Sequence, residues 1–405
     1  MTSTATAEDY RDRFVQRLSQ NMPGRKEFVI EHAEGCTLTD AEGRTYLDMT
    51  SGIGVANVGH SHPRVVEAVQ RQMTRYAHVN VYGRFVVPEQ VEMVDRLVAA
   101  AGPGFDMAYL LSTGAEANEC ALKLARKVTG RPKFVAFERA YHGRSFGALS
   151  VSWREEWRTP FGPLLPEVEF VPYDDLAAAA AAIDDRTAAV IVEPIQGEGG
   201  IRVPSDDFLP GLRALCDAAG ALLIADEVQG GMGRSGTWFS HQHWDVVPDI
   251  ITTAKATGGG LPLAAVLSQA ERFATFSDPP LSHLTTMGGN PVACAAGIAA
   301  YDVIVEDELL EHATAMGEYL RAGLSALGPN FPGMVADVRG RGLWCALEVT
   351  VDANPLVNRM QELGVLVGSV LNQSGTIRIM PPLVITTAQI DTFLTALRTA
   401  MAEAA

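Results

Sequence analysis

Five short apolar runs recur between residues 107 and 254: MAYLLS (107–112), KFVAF (133–137), AAVIVEP (188–194), ALLIADE (221–227) and DIITTA (249–254). Each is shorter than a globular helix, so each predicts a buried strand. Over 115–128 and 206–219 the apolar positions instead return at helical spacing. This alternation predicts an α/β fold, with a mostly parallel central sheet and helices on both faces, whose ligand site lies at the carboxyl ends of the strands. Further on, a long helical pattern over 302–327 leads into GLWCALEV and TIRIMPPLVI, which predicts a smaller α+β domain. The alanine run at 177–182 reads as a surface helix between strands, and no internal repeat is visible.

Composition narrows the function. The 405-residue chain carries a net charge of −16, which argues against an extended nucleic-acid surface or an anionic-membrane surface. The opening MTSTATAEDYRDRF has no apolar core of signal-peptide length and no later run reads as a transmembrane stretch, so the expected location is cytoplasmic. The five cysteines are scattered without a CxxC pair, as expected for reduced, buried thiols. His60 and His62 lack the further ligands that a metal centre needs, and no metal is expected.

Lysine usage is the most informative feature. Only Lys26, Lys123, Lys127, Lys133 and Lys255 occur, and Lys255 stands alone in PDIITTAKATGGGLP, where an apolar run gives way to glycines. Arginine supplies charge elsewhere, but a guanidinium stays protonated and cannot serve as an amine nucleophile. Asp226 closes the preceding apolar run, LLIAD, where an ionised carboxylate calls for a cationic partner. In LLSTGAEANECALKLAR, a strand end, a Ser-Thr-Gly turn and a helix N-terminus could form a phosphate cup; an ordinary capped turn explains that stretch alone equally well. An amine, a carboxylate and a phosphate cup at successive strand ends are together the three anchors of pyridoxal 5'-phosphate.

The motifs YLDMTSGIGVANVGHSHP, AYHGRSFGALS, VEPIQGEGG, DEVQGGMGRSG, AKATGGGLP, GGNPVACAA and IRIMPPLVIT follow one another in the order and approximate spacing of the class III aminotransferases. The chain resembles that family, of the ω-amino-acid type, over nearly its whole length. The resemblance implies a fold-type I pyridoxal-phosphate-dependent transferase, with a large cofactor-binding domain over 52–300 and a smaller one built from 1–51 and 301–405. It implies Lys255 as the Schiff-base lysine, Asp226 as the partner of the pyridine nitrogen, and Tyr141 and Val228 on opposite cofactor faces. Gln229 would lie near the cofactor hydroxyl, with His142 close by. Thr113, Gly114 and Ala115 would hold the phosphate, joined by Thr286 from the neighbouring subunit of a homodimer.

For substrate, the resemblance places a remote carboxylate on Arg144 and a 2-oxo-acid carboxylate on Arg378, with Glu198 pairing Arg378 until that substrate arrives. Planar guanidinium groups suit carboxylates. Ile53 falls at a pocket-lining position, although a structural turn explains it nearly as well. The implied reaction moves a terminal amino group from ornithine, N-acetylornithine or 4-aminobutyrate to 2-oxoglutarate by a ping-pong mechanism. Gly230, Thr257 and Met287 depart from the residues common in the family and leave the pocket's shape open. The same anchors would serve a dialkylglycine decarboxylase, a racemase, or a transaminase of a sugar or other biosynthetic ketone. A nicotinamide-dependent dehydrogenase is disfavoured, because no GxGxxG turn stands suitably after an early strand.

Overall fold

The computed structural model describes residues 6–21 and 28–404. An N-terminal meander of β1 (Ile30–Glu34), β2 (Thr37–Asp40) and β3 (Thr45–Asp48) precedes the central sheet. That sheet holds β4 (Met107–Leu111), β5 (Lys133–Phe137), β6 (Val168–Val171), β7 (Thr187–Val192), β8 (Leu222–Asp226), β9 (Ile250–Thr253) and β10 (Ala264–Ser268). Its order is β4-β10-β9-β8-β7-β5-β6. Only β10 runs against its neighbours, pairing antiparallel with both β4 and β9. The C-terminal part contributes β11 (Val335–Arg341), β12 (Trp344–Val349), β13 (Val365–Leu366), β14 (Gly368–Ser369) and β15 (Thr376–Ile379). β13 joins the meander beside β3, and the others form a separate sheet, β11-β12-β15-β14.

The five apolar runs are thus five of the seven central strands. β6, VEFV, is short and half exposed, while β10, AAVLS, is too rich in alanine to stand out. Burial explains why alternation is missing from the legible ones. All six residues of β7 are buried: Ala189 and Ile191 pack with Ala121 and Leu124 of the helix Gly114–Thr129, and Val190 and Val192 with Phe208 and Leu212 of the helix Phe208–Ala219. A strand covered on both faces is apolar at every position.

The pattern over 302–327 is not one helix. Pro291–Glu306 and Leu309–Ser325 are separate helices, broken at Glu308, whose φ of 51° is left-handed. The break lets the first helix pack on Pro63–Arg75 and Pro88–Ala101 while the second packs on β11 and the C-terminal helix Thr387–Ala404. All five cysteines are buried and free, and His60 Nε2 lies 2.7 Å from Asp48 Oδ2. No described helix is long and apolar enough to cross a membrane.

Candidate active site

Chain segments that follow the carboxyl ends of the parallel strands converge on one cavity of about 560 Å³. After β4 come Ser112 to Ala115, beyond β5 Tyr141 to Arg144, after β7 Glu193 and Glu198, at β8 Asp226 to Gln229, and after β9 Ala254 and Lys255. This is where ligands bind open α/β sheets. Thr113, Gly114, Ala115, Tyr141, His142, Arg144, Glu198, Asp226, Val228, Gln229 and Lys255 all line it.

Lys255 opens the short 3-10 turn after β9 with a φ of 50°. A non-glycine residue held there costs about 1–2 kcal/mol, and such strain concentrates at functional positions. Its Nζ has no hydrogen-bond partner among the described residues and faces the cavity. Burial pushes its pKa down to about 8; Glu198, Asp226 and Glu193 pull the other way, and Arg378 adds to the depression.

A stability signature follows from that depression. The unfolded lysine keeps its proton up to about pH 10.5 while the folded one loses it near 8, so the unfolded chain binds more protons in this window. Stability of the cofactor-free protein should therefore rise between pH 8 and 10.5, by roughly 3 kcal/mol from this group. Urea melts across that range should show the rise, and Lys255→Met should remove it; an identical slope in the variant would mean that the lysine titrates normally.

Asp226 is fixed on both oxygens. Oδ2 accepts from Asn118 Nδ2 at 2.8 Å and sits 2.6 Å from His142 Nδ1, while Oδ1 accepts from the Val228 N–H at 3.0 Å. Asn118 is itself held by the Thr252 hydroxyl at 2.8 Å and by the His142 carbonyl at 2.7 Å. His142 therefore orients the carboxylate. Thr113, also on the cavity lining, caps the helix Gly114–Thr129, its hydroxyl accepting from Glu116 N–H at 3.2 Å. The Glu116 carboxylate takes the Ser112 and Thr113 amides, each at 3.0 Å. Thr113 is thus committed to the cap, which leaves the Gly114 and Ala115 amides of the first turn without an intrahelical acceptor.

The carboxylate-recognising candidates differ from one another. Arg378, on β15, is buried and paired with Glu198 Oε1; Glu198 lines the cavity and Arg378 does not. Arg144 lines the cavity with no carboxylate partner among the described residues, its guanidinium 3.6 Å from the Trp157 ring centroid and 5.0 Å from that of Tyr141. Ile53 does not line the cavity. Ser51, Gly52, Ile53 and Gly54 all have positive φ, and this left-handed turn leaves Ile53 49% exposed while delivering Val55 to the lining. Thr286 is exposed and reaches no part of its own chain's cavity.

Glu193 was not singled out in the sequence, yet it follows β7 as Asp226 ends β8, and that strand-end signal could have found it. It accepts from the Tyr141 amide at 3.0 Å and the Gly197 amide at 2.9 Å. Burial pushes its carboxyl up to about 7, against the pull of His142. Asn118 and Trp157 had no local signal. Gly230 has no room for a side chain, since a Cβ there would lie 2.4 Å from Ser240 Oγ. Thr257 is turned inward, donating to the Ala254 carbonyl at 2.9 Å.

The residues present fit pyridoxal phosphate. Buried polar atoms are left without partners at His142 Nε2 and Gln229 Oε1, and a Cβ on Gly114 would come within 2.7 Å of Val228, so the turn packs against that side chain only as glycine. An unpaired amine, a fixed carboxylate and a free helix N-terminus face one space.

Known proteins agree. The aminotransferase class-III family description matches residues 19–401. The acetylornithine aminotransferase of Methanopyrus kandleri is 43% identical, over 96% of this chain and 97% of the relative. That of Mycobacterium tuberculosis is 40% identical, over 98% and 96%. The ornithine aminotransferase of Toxoplasma gondii, solved with partial occupancy of PLP at its active site, superposes with a TM-score of 0.89 at 33% identity, covering 98% of this chain and 94% of that one. An (S)-enantioselective omega-transaminase from Thermomicrobium roseum gives 0.92 at 30% identity, covering 99% of each. The fold is that of the fold-type I transferases, and the chain belongs to the class III aminotransferases, which depend on pyridoxal phosphate.

Proposed function

We propose that the protein moves the terminal amino group of an ω-amino acid, of the N-acetylornithine or ornithine kind, to 2-oxoglutarate in two alternating half-reactions at this site. The observation that carries this reading is the contrast between Arg378, buried and paired with Glu198, and Arg144, free of any described carboxylate at the same cavity. The acetylornithine aminotransferase relatives support the donor class.

When bound, pyridoxal phosphate supplies an electrophilic carbon for the donor amine and a ring that accepts electrons from the substrate carbon. Asp226, held by Asn118, His142 and the Val228 amide, would keep a proton on the ring nitrogen. Tyr141, Val228 and Gln229 line the same cavity and would hold the ring and its hydroxyl. The Gly114 and Ala115 amides would hold the phosphate at the positive end of the helix. Lys255, whose pKa of about 8 leaves an appreciable neutral fraction near pH 7 to 8, would serve as the base that takes a proton from the substrate carbon. Arg144 orients the donor's carboxylate while Glu198 keeps Arg378 closed; a 2-oxo acid displaces Glu198 and uses Arg378.

The same reading makes the active unit a cytoplasmic homodimer, with Thr286 reaching its partner's phosphate, and divides each chain into 52–300 and a unit of 1–51 with 301–405. Sedimentation should find the active species dimeric, and a fully active monomer would remove Thr286 from the site. To test the reaction, the wild-type holoenzyme is mixed with N-acetylornithine, ornithine, 4-aminobutyrate and glutamate, one at a time. Glutamate and at least one ω-amino donor should each bleach the visible band in a single turnover. Bleaching by carboxylate-free amines alone would defeat the ω-amino-acid reading.

A further inference from the structure

A continuous series of contacts joins the two arginines that this reading assigns to carboxylates. Arg144 Cζ lies 3.6 Å from the Trp157 ring centroid, and Arg154 Cζ lies 4.7 Å from the same ring. Arg154 also donates through Nη2 to the Leu371 carbonyl and through Nη1 to Glu156 at 2.6 Å. The Leu371 N–H donates to Glu198 Oε2 at 2.9 Å, and Glu198 Oε1 accepts from Arg378. Asn372 continues the segment, its N–H on the Glu198 carbonyl at 2.9 Å and its Nδ2 on the Arg139 carbonyl at 2.6 Å. Leu371 is thus held on both sides, its carbonyl by Arg154 and its amide by the carboxylate that closes Arg378.

Each contact has an energetic reason to persist. A guanidinium over an indole is attracted by the ring's electron-rich face. A carboxylate accepting a backbone N–H is a charge-assisted bond, stronger than a neutral one. Two guanidinium groups on one ring also repel: Arg154 adds to the burial that lowers the Arg144 pKa. An incoming carboxylate at Arg144 relieves that repulsion.

We infer that Arg154 is a positioning residue that sets both carboxylate sites: it holds Leu371 so that Glu198 stays on Arg378, and it shares Trp157 with Arg144. This rests on the assignment of the two arginines above. A donor bound at Arg144 leaves Glu198 in place. A substrate carboxylate at Arg378 displaces Glu198, and the Leu371 amide then loses its acceptor. Arg154 thereby biases the donor half-reaction against substrates that need Arg378.

Arg154→Met tests this, with Arg154→Lys as the conservative control. In the holoenzyme, hydrogen exchange at the Leu371 amide should quicken roughly two- to tenfold in Arg154→Met, as expected for weakening a bond of net worth about 0.5–1.5 kcal/mol, and recover in part in Arg154→Lys. Glutarate, a plain dicarboxylate probe, should quicken the same amide in the wild type and add little in Arg154→Met. The two KM values should move in opposite directions, down for 2-oxoglutarate and up for the ω-amino donor. A loop contact of purely structural importance would shift both alike. Unchanged exchange, or two KM values moving together, overturns the proposal. If no ω-amino acid reacts with the wild type, the donor assignment fails by itself, and the exchange response to glutarate alone decides whether Arg154 acts as proposed.

Discussion

Lys255→Arg should fold, keep a positive charge in the cavity and lose about 10,000-fold or more in turnover, the upper range for removing a positioned acid or base together with an amine nucleophile. The site holds the lysine amine near a pKa of about 8, so part of it is neutral at working pH. A guanidinium stays protonated there and offers neither a nucleophilic amine nor a proton acceptor. The check is a steady-state rate beside a melting curve showing an intact fold. Activity within about tenfold of wild type would mean that the lysine contributes charge alone.

The second large effect separates the two arginines. Arg378→Ala removes the buried partner of Glu198, and loss of one member of such a pair costs about 2–5 kcal/mol, or roughly 30- to 5,000-fold. That loss should fall on the glutamate and 2-oxoglutarate half, where the substrate carboxylate would replace Glu198. Arg144→Ala should fall instead on the ω-amino donor half, with less effect on glutamate. Single-turnover spectra with each substrate alone give the two losses independently. Equal losses in both halves, in both variants, would contradict the assignment of one carboxylate to each arginine.

Much of this site was legible because its residues sit where apolar strands end. Asp226 closes β8 and Lys255 follows β9, so short-range pattern alone brought carboxylate and amine toward one edge of the sheet. Glu193 stands in the same relation to β7 and could have been read the same way. Asn118 and Trp157 were not legible, because their roles come from distance in space: Asn118 lies within a helix and reaches Asp226 only after the strands pair. Ile53 shows a different limit. Four successive positive-φ residues leave it 49% exposed and outside its own chain's cavity, and a run of positive φ across Ser51 and Ile53 cannot be inferred from residue preference. The break at Glu308 was hidden for a related reason, since helical spacing continues on both sides of it. The reversed strand β10 was missed because its alanines pack between two layers without the bulk that marks a strand.

Every role assigned at this cavity depends on Lys255 being the point of covalent attachment. Borohydride reduction of the holoenzyme, followed by peptide mass mapping, tests this without relying on turnover. The pyridoxyl mass should appear on the peptide that contains Lys255 and on no other. The same mass on Lys26, Lys123, Lys127 or Lys133, with Lys255 unmodified, would contradict it.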